Sequence, residues 1–280
     1  MRRLIPLVGL AALLAGCGGG GSSAPTLPTI VAAKRYTLAG FQPSGPVRPG
    51  VPTTVSFTIR QPNGQPLTKY KHGPGPHTGV HLIMVRRDLS AIIHEHPPIG
   101  KDGRASITVT FPEPGPYRVV VDAYPANGSE PNFQLFTNLR VAGKYVPKPL
   151  PPLATTQVVH GYRFVMQSRP HLKAIQPGTF VVHVTDPQGK PVVFKPWFGA
   201  LAHAIFFRKG SLDYFHTHIC APRASGCTSV LGGARVTGTS ATPGKLTVGV
   251  LVPVPGLWRL FLQTRQHGVV LTATFDLTVH

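Results

Sequence analysis

The feature that most constrains this 280-residue chain is a histidine pattern that occurs twice. The spacing H-x12-H-x-H repeats without a gap, first as His81, His94 and His96 and then as His203, His216 and His218. The flanking segments also correspond, since Pro114-Gly115 precedes an aromatic-Arg pair in the first copy and Pro255-Gly256 does so in the second. Self-similarity of this kind indicates a duplicated structural unit. We therefore expect two homologous domains, at residues 35–142 and 158–280.

The sequence of each copy is typical of short β-strands separated by turns. Residues 55–59 and 107–111 alternate apolar and polar side chains, as a strand with one buried face does. Glycine and proline number 31 each, which favours turns over long helices. We expect an all-β protein with two tandem Ig-like or cupredoxin-like β-sandwich domains, joined by a Pro-rich linker at residues 143–157.

The N-terminal segment has the pattern of an export signal. The apolar run from Leu4 to Leu14 is too short to span a bilayer as an ordinary helix. Leu14-Ala15-Gly16-Cys17 follows directly and resembles the cleavage motif of a bacterial lipoprotein. We expect residues 1–16 to be a lipoprotein signal peptide, Cys17 to carry lipid such as palmitate, and residues 17–34 to form a flexible tether. The alternative is an ordinary secretory signal with a coincidental cysteine.

The first histidine trio falls on a predicted β-hairpin. Apolar segments at residues 82–85 and 91–93 flank a turn centred between Asp88 and Leu89. With that centre, His81 lies opposite His96, and His94 lies one pleat away on the same face. Directly opposed Cβ atoms lie about 4.5–5.5 Å apart and diagonal ones about 7–8 Å. Three imidazoles on one face at these distances can converge on one metal ion.

The second copy predicts the same arrangement. With the turn centred between Gly210 and Ser211, His203 opposes His218 and His216 lies beside them. We predict one histidine-rich metal site in each domain, with these ligands: His77, His81, His94 and His96 in the first, and His203, His216 and His218 in the second. By spacing, Gly199 is the counterpart of His77, so water, Cys220 or another histidine is expected to complete the second site. The alternatives are a hydrogen-bonded polar seam and a protonated cluster that binds an anion.

Imidazole ligands favour copper(II) or zinc as the ion. Met84 and Met166 are the only methionines after Met1, which disfavours a methionine-rich copper(I) shuttle. Binding must compete with protonation, so we expect it to weaken in acid.

Cys220 and Cys227 remain as an even pair once Cys17 is assigned to lipid. They flank a turn-rich stretch in a protein that is expected to be exported, where disulfides persist. We expect a local disulfide. The competing interpretation is a thiolate metal site that includes His216 and His218.

A family resemblance follows from these motifs. His81-Leu-Ile-Met-Val-Arg-Arg-Asp-Leu-Ser, His94-x-His96-Pro97 and Pro114-Gly115-x-Tyr117-Arg118 resemble the YtkA-like domain of exported bacterial proteins. The second half, with Pro196-Trp-Phe-Gly-Ala200 and its own trio, is similar to the second domain of two-domain actinobacterial secreted relatives. The resemblance implies a β-sandwich in the cell envelope and a role in handling copper or other heavy metals. Ile219-Cys220 stands where the resemblance calls for a proline after the paired histidines.

Composition narrows the functional class. Only 9 acidic residues accompany 28 basic ones, which disfavours carboxylate-lined calcium sites and paired-carboxylate hydrolases. The sequence contains no nucleophile elbow, Walker loop or dinucleotide fingerprint, so we do not expect an enzyme. We expect a metal-binding envelope protein, lipid-anchored at the outer face of the membrane, with copper or zinc as cofactor. The alternative is a non-metal structural or interaction module at the membrane or cell wall.

The expected partners follow from export and charge. Membrane lipid is the first, through lipidated Cys17. The basic surface favours anionic lipids or wall polymers close to the anchor. An unknown protein partner is also expected, whereas export argues against nucleic acid.

Overall fold

The computed structural model describes residues 36–127, 132–224, 227, 230–231, 234–236 and 238–280. The predicted signal peptide, Cys17 and the tether lie outside these residues. Within the described part of the chain, every regular element is a β-strand, which confirms the predicted all-β fold. None of the described segments is a helix long and apolar enough to cross a membrane.

The first domain is a sandwich of seven strands. Strands β1 to β7 span Thr37–Gln42, Pro52–Arg60, Val80–Arg86, Ile92–Glu95, Arg104–Thr110, Gly115–Ala123 and Phe133–Val141. One sheet has the order β1-β2-β5 and the other the order β4-β3-β6-β7. Tyr117, near the start of β6, donates a hydrogen bond to the carbonyl oxygen of Glu113 at 3.1 Å. This tyrosine corner is a hallmark of Ig-like sandwiches.

The second domain repeats this plan and adds four strands. Strands β8 to β18 span Thr156–Val159, Tyr162–Met166, Gly178–Thr185, Ala202–Arg208, Tyr214–Cys220, Val230–Leu231, Ala234–Arg235, Gly238–Thr239, Lys245–Val250, Gly256–Gln266 and Val269–Val279. Of these, β8, β13, β14 and β15 are the added strands. The sheet order of the second domain is β18-β17-β11-β12-β15-β16-β10-β9-β8. Strand β15 pairs with β12 and β16 and so joins two layers that are separate sheets in the first domain. At the position of the tyrosine corner, Trp258 donates to the carbonyl oxygen of Val254 at 3.1 Å.

Both predicted histidine hairpins have the expected register. Strands β3 and β4 pair Ile83 with His94, and β11 and β12 pair His203 with His218. The turn between each pair of strands therefore places the three histidines of a copy on one face of its sheet.

Strands β3 and β11, each of which carries the first histidine of a trio, are buried on both faces. On β3, Leu82 and Met84 point into the core of the first sandwich. Ile83 and Val85, which alternate with them, pack in a third apolar cluster against residues of the second domain. That interdomain cluster contains Ile83, Val85, Leu89 and Val120 from the first domain and Ile205, Phe207 and Phe261 from the second. The β4-β3-β6-β7 sheet of the first domain therefore packs face to face on strands β11 and β17 of the second.

The Pro-rich linker is held against the first domain. Arg86, which is 2% exposed, donates to the carbonyl oxygen of Val146 at 3.3 Å and lies over the ring of Tyr145. The carboxylate of Asp88 accepts a hydrogen bond from the backbone N–H of Lys148 at 2.8 Å. Leu150 then packs against the interdomain apolar cluster. These contacts fix the direction in which the chain enters the second domain.

Candidate metal centre

The two histidine trios face each other across the domain interface. Since side chains alternate along a strand, His81 lies on the same face of β3 as Ile83, and His203 on the same face of β11 as Ile205. Nδ1 of His81 lies 3.2 Å from Nδ1 of His216, and Nδ1 of His203 lies 3.4 Å from Nε2 of His216. The structure differs here from the expectation of one site per domain. Face-to-face packing of the sheets merges the two trios into one cluster.

The remaining predicted histidines join the same cluster. Nε2 of His77 lies 3.1 Å from Nδ1 of His218, so the fourth ligand predicted for the first domain stands beside the second domain's trio. The ring of His96 lies 4.1 Å from that of His81, measured between centroids. It also stacks on Phe198 of the second domain at 3.9 Å. All seven predicted histidines therefore lie in one place, which we term the seven-histidine cluster.

A loop of the second domain covers the first domain's histidines. Trp197 contacts the ring of His94 edge-on at a centroid distance of 5.6 Å. Gly199 has a positive φ of 78°, and a Cβ atom there would lie 2.5 Å from the backbone carbon of Gly75. Glycine at this position allows loops 73–79 and 196–200 to pack directly on each other. The close approach shields the seven-histidine cluster from solvent.

Backbone carbonyls fix the proton position on two of the rings. Nε2 of His81 lies 2.8 Å from the carbonyl oxygen of Pro76, and Nε2 of His203 lies 2.9 Å from that of Trp197. Because a carbonyl oxygen only accepts, each Nε2 carries the proton and donates it. In the neutral rings, both Nδ1 atoms then present lone pairs to His216.

His216 cannot satisfy both lone pairs. A neutral imidazole has one N–H, so His216 donates to either His81 or His203 and not to both. Protonating His216 would supply the second donor, but burial and the neighbouring histidines hold its pKa well below the ordinary value. One of the two contacts therefore brings two lone pairs together without a hydrogen between them. A metal ion between the nitrogens removes that conflict.

Three further ring nitrogens in the cluster lack a hydrogen-bond partner among the described residues. His94 donates from Nδ1 to Oε1 of Gln263 at 3.1 Å, since the amide nitrogen of Gln263 is used on Thr272. Nε2 of His94 is then a buried acceptor, and no hydrogen-bond partner for it lies among the described residues. Nε2 of His96 and Nε2 of His218 are also buried without a hydrogen-bond partner in the part of the chain that the structure describes. A buried polar atom without a partner is costly, and such atoms are rare in native structures.

Burial keeps the cluster in its neutral, ligand-competent form. Desolvation lowers the pKa of His81 to about 3 and that of His203 to about 4. The pKa values of His94, His96 and His218 are lowered too, first by burial and then by neighbouring histidines. Neutral imidazole is the form that binds a metal ion.

Two polar residues next to the cluster were not predicted from the sequence. Asp122 pairs with His81 across β6 and β3, and Gln263 pairs with His203 across β17 and β11. Burial raises the pKa of Asp122 to about 6, although hydrogen bonds such as the 3.3 Å contact from the hydroxyl of Tyr214 oppose that rise. Asp122 and Gln263 are each a polar residue that directly follows three apolar residues of a strand. That sequence pattern could have been used to predict them.

Five histidines outside the cluster are exposed at the surface: His160, His171, His183, His267 and His280. Cys220 and Cys227 form a disulfide with Cα atoms 6.4 Å apart. The bond leaves neither sulfur as a thiolate ligand. It ties down the segment that follows β12, the strand that carries His216 and His218.

A family model matches residues 35–145 and again residues 156–280. The chain belongs to the Domain of unknown function family DUF8832. The two matched segments of this DUF8832 protein confirm its internal repeat. The resemblance to the YtkA-like domain stays a prediction. None of the curated proteins matches the DUF8832 chain.

Several solved structures match the chain at low sequence identity. A chimeric titin Z1Z2 functionalised with a KLER peptide from decorin matches 88% of the DUF8832 chain and 97% of its own, at 16% identity and a TM-score of 0.24. The titin domains Z1Z2 in complex with telethonin match 88% and 96%, at 16% identity and 0.23. Invasin, a bacterial integrin-binding protein, matches 88% and 39%, at 15% identity and 0.23. Similarities at this level carry no information on function.

Proposed function

We propose that this protein binds copper(II) or zinc in the seven-histidine cluster, between its two domains. The observation that carries the proposal is the arrangement of protons around His216. Carbonyl oxygens fix the proton on Nε2 of His81 and of His203, so two buried lone pairs face one imidazole that can donate to only one of them. A divalent cation accepts such lone pairs, and imidazole is a preferred ligand of both metals.

The surroundings of the cluster favour an ion with nitrogen ligands. Met84 and Met166 lie in the separate cores of the two sandwiches, so neither thioether is a ligand. The hydrogen bonds of His81, His94 and His203 to oxygen acceptors are the outer contacts that orient metal-binding imidazoles and raise their basicity. The proposed site therefore combines ligands with the contacts that hold them in place.

Metal binding is tested on untagged protein stripped with a chelator. Calorimetric titration with zinc or copper(II) at pH 7 is expected to give saturable uptake. The double variant His81→Ala/His203→Ala should lose most of it, while the exposed His183→Ala should bind as the native protein does. Circular dichroism establishes that the double variant keeps its β-structure, and His94→Gln is the milder second variant. No saturable uptake by the native protein would overturn the proposal and favour a non-metal interaction module.

We also propose that the protein is lipid-anchored at the outer face of the membrane. This rests on the Leu14-Ala15-Gly16-Cys17 motif directly after the apolar run. In cells fed labelled palmitate, the native chain should carry label and sediment with membranes, whereas Cys17→Ser should lose the label. Cys227→Ser is the matched control. Label retained in Cys17→Ser would refute lipidation at that residue.

A further inference from the structure

Two groups of three histidines have the spacing of a metal site, and they share one member. The first consists of His81, His94 and His216, and the second of His203, His216 and His218. Within each group the candidate ligand atoms lie within 4.8 Å of one another. The first group takes ligands from both domains, and the second lies within the second domain. His216 is therefore where the two groups meet.

The two ring nitrogens of His216 face different groups. Its Nδ1 lies 3.2 Å from Nδ1 of His81, and its Nε2 lies 3.4 Å from Nδ1 of His203. Two nitrogens bound at about 2.0–2.1 Å to one tetrahedral ion lie about 3.3–3.4 Å apart. Both gaps therefore have the size that a single ion would set between two of its ligands.

Each group also contains another ring nitrogen that has no hydrogen-bond partner among the described residues. His94 belongs to the first group and His218 to the second, and Nε2 of each is buried without a hydrogen-bond partner in the described part of the chain. Nε2 of His96 is a third such atom, and its ring lies 4.1 Å from that of His81. The donors left over after one ion is placed are thus enough for a second.

We propose that the seven-histidine cluster holds two divalent ions bridged by the imidazole of His216. This inference rests on the proposed metal binding. The first ion binds one nitrogen of neutral His216, and the second displaces the proton from the other nitrogen. The N–H bond breaks, its electron pair forms the new metal–nitrogen bond, and the proton leaves to solvent. Two ions and neutral His216 give a bridging imidazolate and one released proton.

Copper(II) provides the first test. Full-length native protein loaded with two equivalents at pH 7 should show well under one paramagnetic resonance spin per bound copper, because two bridged copper(II) ions couple. His216→Ala should restore nearly one visible spin for each copper it still binds, and His183→Ala should behave as native. Saturation at one ion, or two ions with full spin visibility in the native protein, would overturn the bridge and leave metal binding intact. No binding would overturn both.

Proton release gives a second readout that does not need copper. Titration with zinc in weakly buffered solution should release about one proton per two ions from native protein, which is the proton that leaves His216. His216→Ala should release none from this source, and the exposed His183→Ala should release as much as the native protein. Equal release from the native protein and from His216→Ala would refute the imidazolate.

Discussion

Gln263 orients the ring of His94 through a hydrogen bond. It accepts a hydrogen bond from Nδ1 of His94 at 3.1 Å while its own amide donates to Thr272 at 3.0 Å. Gln263 belongs to the second domain and His94 to the first, so this contact orients a proposed metal ligand across the interface. Losing an outer-shell partner of this kind costs about 10–100-fold in metal affinity.

Gln263→Leu is therefore expected to weaken zinc affinity by about 10–100-fold without changing the stoichiometry. The leucine keeps the volume but leaves Nδ1 of His94 without an acceptor, so the ring loses its preferred tautomer. Competition with a chelating dye at pH 7 measures the affinity. Gln188→Leu, in an exposed turn, is the matched control and should bind as native. An unchanged affinity in Gln263→Leu would show that His94 is not a ligand.

The depressed histidine pKa values make the metal-free protein sensitive to acid. His81 has a pKa of about 3 and His203 of about 4, against 6.5 for an ordinary histidine. Between about pH 6.5 and 4 the unfolded chain binds protons that the folded chain does not, so the free energy of unfolding falls as pH falls. Asp122, with its pKa raised to about 6, increases the free energy of unfolding as pH falls. Because it is one group and the buried histidines are several, the effect of the histidines is the larger.

Metal-free protein should therefore lose stability from pH 7 to pH 5, by up to about 1.4 kcal/mol per pH unit for each buried histidine. Urea denaturation at the two pH values measures the difference. His203→Leu should lessen the loss, and the exposed His183→Ala should leave it unchanged. Equal or greater stability at pH 5 than at pH 7 would contradict the assigned pKa directions.

At the level of elements, equivalent arginines end the two histidine strands in different environments. Arg86 at the end of β3 is 2% exposed, and it pairs with Asp88 and donates to the carbonyl oxygen of Pro114 at 2.8 Å. Arg208 at the end of β11 donates likewise to Pro255 at 2.8 Å, but its side chain is 34% exposed and its pairing with Asp213 is longer, at 3.7 Å. The linker covers the first arginine, which explains the difference.

Arg86→Met should destabilise the protein by about 3–5 kcal/mol, because it leaves the carboxylate of Asp88 buried without its partner. Arg208→Met removes an exposed pair and should cost about 0–1 kcal/mol. Urea denaturation of the two variants side by side measures both values. Similar losses in the two variants would show that the contacts with the linker contribute little.

The hairpins that carry the histidines could be predicted because their register depends on local sequence. Once the turn is centred between Asp88 and Leu89, each residue of β3 pairs with the residue of β4 at the same distance from that centre. The face on which each side chain lies then follows from the two-residue period of a strand. Strand β15 could not be predicted, since two residues that pair in parallel with β12 leave no periodic pattern. The seven histidines could be predicted from the sequence, but the contact between the two trios could not.

At the scale of the whole molecule, the meeting of the two trios depends on which sheet faces pack together. The strands at residues 55–59 and 107–111 were predicted to bury one face each, whereas β3 is buried at all seven of its positions. A run such as Val80 to Val85, apolar except for His81, is what a strand buried on both faces requires. That pattern signals a second packing partner but does not identify it as the other domain.

Because ligands come from both domains, metal binding should stabilise both together. Zinc at about 100 times its dissociation constant adds about 2.7 kcal/mol to stability, or about 100-fold slower exchange for amides that open only on global unfolding. Hydrogen exchange followed by mass spectrometry should show slowing in peptides from β3 and β11 alike. In His94→Gln, the slowing should shrink in β11 as well as in β3, and His183→Ala should match native. Slowing confined to peptides of one domain would mean that one trio alone holds the ion, and the cluster would then not act as a single centre.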